Sequence, residues 1–277
     1  MTLDVRWVFG LARSGSSITA YAAAAPWNLP VADEILGPWD RTGKPYNYPP
    51  AQAELVELFK QTNASLTPEV ADRTRALLRQ IADAKGADRI ISKHPHLRFT
   101  PEEFHEQFPD DRGIWVIRNP LRRLASIHSR GWTSIVRPNH DLDFFREYAE
   151  RWLALPDDRT LIFENLRRDP HAYFAKLYRA WEWNASQADI AKAVAYQQSN
   201  YHGKSGDIEP DHSPQTTRSD ASKAVPEEAV YLYLNDPFMR RLFKKLGWSR
   251  RPGDYYPKPP TPLERLKNKL IPDRSEP

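Results

Sequence analysis

Apolar residues along this 277-residue chain fall into two rhythms. Short apolar runs at 5–10 (VRWVFG), 88–92, 113–117 (GIWVI) and 159–163 (RTLIF) have the length and the aromatic or β-branched content of buried strands. Between them lie segments of helical spacing: the alanine-rich stretch 15–25, stopped by Pro26, then 51–61, 68–85, 101–108, 143–154, most of 164–195, and 226–246, which ends at Gly247. Asn119 before Pro120 is the preferred order at a helix start, because the asparagine side chain caps free backbone N–H groups and proline needs none. Residues 26–50 carry Pro, Gly, Asn and Trp without periodicity and read as a functional loop or lid, and 196–224 read as a polar loop. Strands alternating with helices predict an α/β fold of three layers, with helices on both faces of a central parallel sheet and ligands at the carboxyl ends of the strands. There is no internal repeat. The expected organisation is one domain over 1–248, followed by a basic, proline-rich tail at 249–277.

Composition narrows this picture. With 40% hydrophobic residues the chain can bury a full core. No run of eighteen apolar residues predicts a membrane span, and MTLDVRWVFG lacks the order of a secretion signal, so the expected compartment is the cytoplasm. The absence of cysteine excludes disulfides and thiolate chemistry and leaves His, Asp and Glu as ligands for any metal. A net charge of +4 suits an anionic ligand but is too thinly spread to argue for a nucleic-acid partner.

The first strand runs directly into GLARSGSS (10–17). A loop between a strand and a helix N-terminus aims backbone N–H groups and the positive end of the helix dipole at one spot, which favours phosphate. Gly15 permits the turn, Ser14, Ser16 and Ser17 bring hydroxyls, and Arg13 brings a charge-assisted donor, while Ser16 stands where a kinase-type loop carries lysine. A plain strand–helix turn rich in small residues has the same composition. A second strand ends in Arg118, and its helix carries Ser126 four residues after Arg122 on the same face. These form a second candidate anion site; pairing of Arg118 with a carboxylate is the alternative.

RSGSS after a strand, followed by RNP with a serine eight residues beyond its arginine, resembles the sulfotransferases that use 3′-phosphoadenosine 5′-phosphosulfate (PAPS). IFENLRRDP (162–170) and the closing LFKKLGW are similar to further segments of that family, so the resemblance runs through about 5–248. It implies the sulfotransferase variant of the phosphate-loop fold. Arg13, Ser14, Gly15, Ser16 and Ser17 would hold the 5′-phosphosulfate, and Arg118 with Ser126 the 3′-phosphate. It also implies sulfonate transfer on fixed donors without a metal, to a small-molecule or carbohydrate acceptor. For the base it offers two positions. Glu34 lies twenty-one residues after Arg13, as in the glutamate-using branch, and His94 lies near the histidine of cytosolic members. Lys93-His94-Pro95 matches the glutamate branch better, so Glu34 is favoured as base, with Lys93 stabilising charge on the bridging oxygen of the leaving phosphate; His94 follows, and His96 after a one-residue shift. A His-x-His zinc site lacks a third ligand at suitable spacing.

Ile18 stands where the family often has an adenine-stacking tryptophan. SNYHGKSGD (199–207) loosely resembles the family's late segment, implying Ser199 and Tyr201 at adenine and Lys204 at the 3′-phosphate, with Arg218 as an alternative. Segments 26–50, with Trp27, Trp39, Tyr46 and Tyr48, and 129–145 are expected to shape the acceptor pocket. LERLKNKL (263–270) could form a short basic amphipathic helix; such tails pack on their own domain, on a second copy in a homodimer, or stay disordered. Two other functions fit less of the pattern: a nucleotide kinase using Glu164 as a magnesium carboxylate, and a non-catalytic nucleotide-binding module.

Overall fold

In the computed structural model, residues 3–37, 50–95, 99–128, 138–199 and 225–255 are described. Among them five strands form one parallel sheet: β1 (Asp4–Gly10), β2 (Val31–Asp33), β3 (Arg89–His94), β4 (Arg112–Ile117) and β5 (Thr160–Ile162), in the order β2-β3-β1-β4-β5. β1 is central because its side chains are apolar on both faces. Trp7 and Phe9 enter one core while Val8 enters the other.

The two cores differ in kind. On one face Trp7, Phe9, Phe104, Phe108 and Trp115 make an aromatic cluster under α4 (Pro101–Gln107). The same core takes in side chains of α2 (Ala51–Gln61), α3 (Pro68–Asp83), α6 (Pro138–Ala154), α10 (Glu227–Asn235) and α11 (Pro237–Lys245). On the other face α1 (Ser16–Ala24) lays Ala20, Ala22, Ala23 and Ala24 into a core shared with α8 (Pro170–Ala180) and α9 (Gln187–Ser199). Small side chains let α1 lie close to the sheet, bringing its N-terminus to the end of β1.

The alternation of strand and helix, the parallel sheet and the loop-to-helix unit after β1 are as predicted. Several boundaries differ, among them the end of β3, which runs to His94 where a strand over 88–92 was expected, and the end of α9, which reaches Ser199 into the expected loop. Residues 31–33, read as part of an irregular loop, form the edge strand β2 beside β3. β5 stops at Ile162, and Phe163 begins α7 (Phe163–Arg168). α6 starts at Pro138, five residues before the predicted 143. The segment 226–246 is two helices, because Pro237 cannot continue a helix and Asp236 goes extended before it (ψ 128°), capping α11 by accepting from the Met239 N–H. Asn119 caps α5 (Pro120–His128) as expected, its Oδ1 accepting from the N–H groups of Leu121 and Arg122.

Residues 249–255 fold back on the domain: Tyr255 is buried, donates to the Ser249 carbonyl (2.6 Å) and accepts from Asn119 Nδ2 (3.0 Å). No described helix is long and apolar enough to cross a membrane.

Candidate functional site

The site lies at the carboxyl edge of β1–β4. Arg13 (φ 69°) and Gly15 (φ 89°) both take left-handed backbone, and the Ser14 N–H closes a turn onto the Leu11 carbonyl (2.9 Å). Glycine is needed at 15 for two reasons. Its φ disfavours any side chain, and a Cβ there would run into the ring of Phe163. Ser14 is fully buried, and its hydroxyl finds no hydrogen-bond partner among the described residues. Ser16 is buried and Ser17 half-buried in the first turn of α1.

The two anion sites read from sequence are in contact. Arg13 Nε donates to Ser126 Oγ (3.0 Å), and Arg118 Nη1 donates to the Arg13 carbonyl (2.8 Å). The Arg118 guanidinium lies over the Phe163 ring, 4.9 Å from its centroid. Arg122 turns away from Ser126, donating to the Asp254 carbonyl (2.9 Å) and lying over Tyr255.

Beside them, β2 pairs with β3 so that Asp33 stands opposite Lys93. Glu34, at φ 58°, folds back over the strand end, its N–H donating to the Lys93 carbonyl (2.8 Å). The Lys93 ammonium lies 2.6 Å from Asp33 Oδ1 and also donates to Glu34 Oε1. Side-chain exposure is 2% for Lys93, 11% for Asp33 and 26% for Glu34, so Glu34 is the member that reaches solvent. Burial raises the Glu34 carboxyl above the usual carboxylate range, and Asp33 adds to this, against the opposing pull of Lys93 and Arg13. Burial alone would lower Lys93, but Asp33 and Glu34 together hold its ammonium above the ordinary lysine value. The loop after β1 and the turn after β2 that carries Glu34 both follow strands of the same parallel sheet, on either side of β3.

Strand alternation separates the two base candidates. Lys93 registers with Val8, on the α1 face, whereas His94 registers with Phe9, on the aromatic face, and stacks on Phe99 at 5.9 Å with an interplanar angle of 8°.

No protein-family model matches the chain, and no curated protein matches it. Solved structures do. The sulfotransferase domain of the olefin synthase from Synechococcus PCC 7002, 17% identical, aligns over 90% of this chain and 97% of its own, with a TM-score of 0.51. A sulfotransferase from Mycobacterium avium, 13% identical, aligns over 90% and 78% at 0.50. The chain has the sulfotransferase fold.

In this sulfotransferase fold, the IFENL segment runs from the last residue of β5 into α7, and Glu164 fastens elements together. Its carboxylate accepts from the Asn119 N–H (3.0 Å) and from Trp248 Nε1 (3.2 Å), and burial raises its pKa. Both oxygens of the carboxylate read as a magnesium ligand in the kinase alternative are thus engaged in holding the cap of α5, α7 and Trp248 together. Ile18 is partly buried against the α1-face core. Ser199, expected at adenine, is the exposed last residue of α9, its hydroxyl donating back to the Ala195 carbonyl (2.7 Å). Tyr201, Lys204, Arg218, His96, Trp39, Tyr46, Tyr48 and the tail beyond 255 lie outside the described residues. Two neighbours of the site escaped the sequence reading. Asp33 precedes Glu34 in an acidic pair that could have been noticed, and Tyr21, whose hydroxyl donates to Asp33 Oδ2 (3.3 Å), sits on α1 with no distinguishing local signal.

Proposed function

We propose that the chain transfers a sulfonate group from PAPS to a hydroxyl or amine of a small-molecule or carbohydrate acceptor. The observation that carries this reading is the meeting, at one sheet edge, of the Arg13–Ser126–Arg118 group with an accessible carboxylate paired to a lysine. Among the described residues Arg13 donates to a hydroxyl and Arg118 to a carbonyl, and an anionic phosphate or sulfonate oxygen is a stronger acceptor than either. The buried Ser14 hydroxyl, without a partner among the described residues, and the helix N-terminus behind it fit the same ligand.

In this assignment Arg13 and Ser14–Ser17 hold the 5′-phosphosulfate, and Arg118 with Ser126 holds the 3′-phosphate. Glu34 accepts the acceptor's proton as the acceptor oxygen or nitrogen bonds to sulfur. The bond between sulfur and the bridging phosphate oxygen breaks, and adenosine 3′,5′-bisphosphate leaves with that electron pair. An ammonium has three donors, of which Asp33 and Glu34 take two. Charge on the leaving oxygen is met by Lys93 and Arg13. The test is to incubate the protein with PAPS labelled in the sulfonate and a panel of phenols, alcohols, amines and sugars. Label transfer that disappears in Glu34→Gln is expected. Phosphoryl transfer from ATP with Mg²⁺ and none from PAPS would contradict the reading.

A further inference from the structure

Lys93 is almost fully buried yet rests on two carboxylates. A buried ammonium left without a partner is strongly disfavoured, and a carboxylate that takes a proton no longer neutralises it. If Glu34 were its sole partner, every proton Glu34 accepted would strand the charge of Lys93. Asp33 removes that conflict by position. The β2–β3 register places it opposite Lys93, one of its oxygens lies against the ammonium, and the other accepts from the Tyr21 hydroxyl on α1. It is also less exposed than Glu34, 11% against 26%.

We propose that Asp33 is a positioning residue that keeps Lys93 paired and in place while Glu34 gains and loses the acceptor's proton. The inference rests on Glu34 being the base. Asp33 and Lys93 form the fixed part of the triad, and Glu34 the working part. The proton moves from the acceptor to Glu34 and then to water through that residue's exposed edge. The groups that act on the Glu34 carboxyl are Lys93 from β3, Asp33 from β2 and Arg13 from the loop after β1; Gln52 of α2 donates to its backbone carbonyl (3.3 Å). Of the side-chain charges among the described residues, Asp33 disfavours the ionised form, and burial acts in the same direction.

The experiment compares wild type, Asp33→Asn and Tyr21→Phe by the pH dependence of kcat, by KM for PAPS, and by carbon-detected NMR titration of the Glu34 carboxyl. In Asp33→Asn the like charge is gone and Lys93 pairs with Glu34 alone. The carboxyl titration and the acid limb of kcat are therefore expected to move together to lower pH. With the lysine no longer braced, kcat falls by roughly ten- to a hundredfold while KM for PAPS stays within about twofold. Tyr21→Phe leaves the Asp33 charge in place and removes a donor that shares it, so both curves are expected to move to higher pH by less, and this variant decides the matter if Asp33→Asn fails to fold. A Glu34 titration that stays in place in the folded variants overturns the inference. If wild type shows no turnover with PAPS, the enzymatic reading fails, and the carboxyl titration still reports whether Asp33 governs Glu34.

Discussion

Lys93 and His94 are neighbours on β3, both about 1% exposed, and they belong to different worlds. Lys93 points to the α1 face, where Asp33, itself held by the Tyr21 hydroxyl, and Glu34 bind it and the phosphate-type loop lies close. His94 points to the aromatic face, stacked on Phe99 among the rings that hold the sheet to α4. On that same face Asp111 serves packing too: it accepts from Trp7 Nε1 (2.8 Å), and burial pushes its carboxyl up to about 6. The comparison teaches that a buried titratable group becomes a candidate for chemistry through its neighbours. On one face charges are coupled to one another beside a loop shaped for anions. On the other, His94 and Asp111 are set among aromatic rings.

Substitutions can break or sharpen that contrast. Glu34→Gln should have the largest effect on activity, lowering kcat by roughly 10²–10⁴-fold, the usual span for a general base, with nucleotide affinity nearly unchanged. Because burial raises Glu34 and the base must be ionised, wild-type kcat should fall with acidification at a pH above the usual carboxylate range. Gly15→Ala comes next. It forces a side chain into left-handed backbone and against Phe163, at a cost of roughly 1–3 kcal/mol from the backbone alone. Calorimetry should show weakened binding of adenosine 3′,5′-bisphosphate together with a lower Tm.

Substitutions on the aromatic face should change stability and spare turnover. Asp111 binds its proton more tightly in the folded chain than at the ordinary value of 3.8, so its contribution to stability is greatest below about pH 4 and is lost as pH rises through about 6. The loss amounts to about 3 kcal/mol, taking 1.36 kcal/mol per pH unit. Asp111→Asn keeps an acceptor for Trp7 and should flatten that slope, as read by denaturant unfolding at pH 4.5 and 7. His94→Ala should lower Tm by removing a buried ring and leave kcat within about twofold. A large kcat loss in His94→Ala, with nucleotide affinity and Tm intact, would erase the contrast between the faces.

Much of this arrangement was legible in the residues. β1 and β4 are apolar enough to be buried on both faces, and Gly15, Asn119 and Pro120 are local signals whose physics needs no partner. The contact of Arg13 with Ser126, 113 residues apart, follows once β1 and β4 are adjacent parallel strands. What stayed hidden depends on pairing. β2 is three residues long, too short to show a period, and only its register with β3 reveals that Asp33 faces Lys93. The opposite aims of Lys93 and His94 follow from strand alternation, but that Lys93 joins an acidic pair on its face depends on β2 and on Tyr21 of α1, which lie far away in sequence. The break at Asp236–Pro237 was readable from its capping residue and proline, yet the apolar pattern on both sides masked it.

The most direct test of the central claim is calorimetric titration of wild type and Arg118→Ala with adenosine 3′,5′-bisphosphate and with adenosine 5′-monophosphate, in the absence of divalent metal. The two-site grip predicts that wild type binds the bisphosphate more tightly by roughly ten- to a hundredfold, the worth of one charge-assisted contact, and that Arg118→Ala loses this preference. Equal affinity of wild type for the two nucleotides, or a preference that survives unchanged in Arg118→Ala, would contradict it.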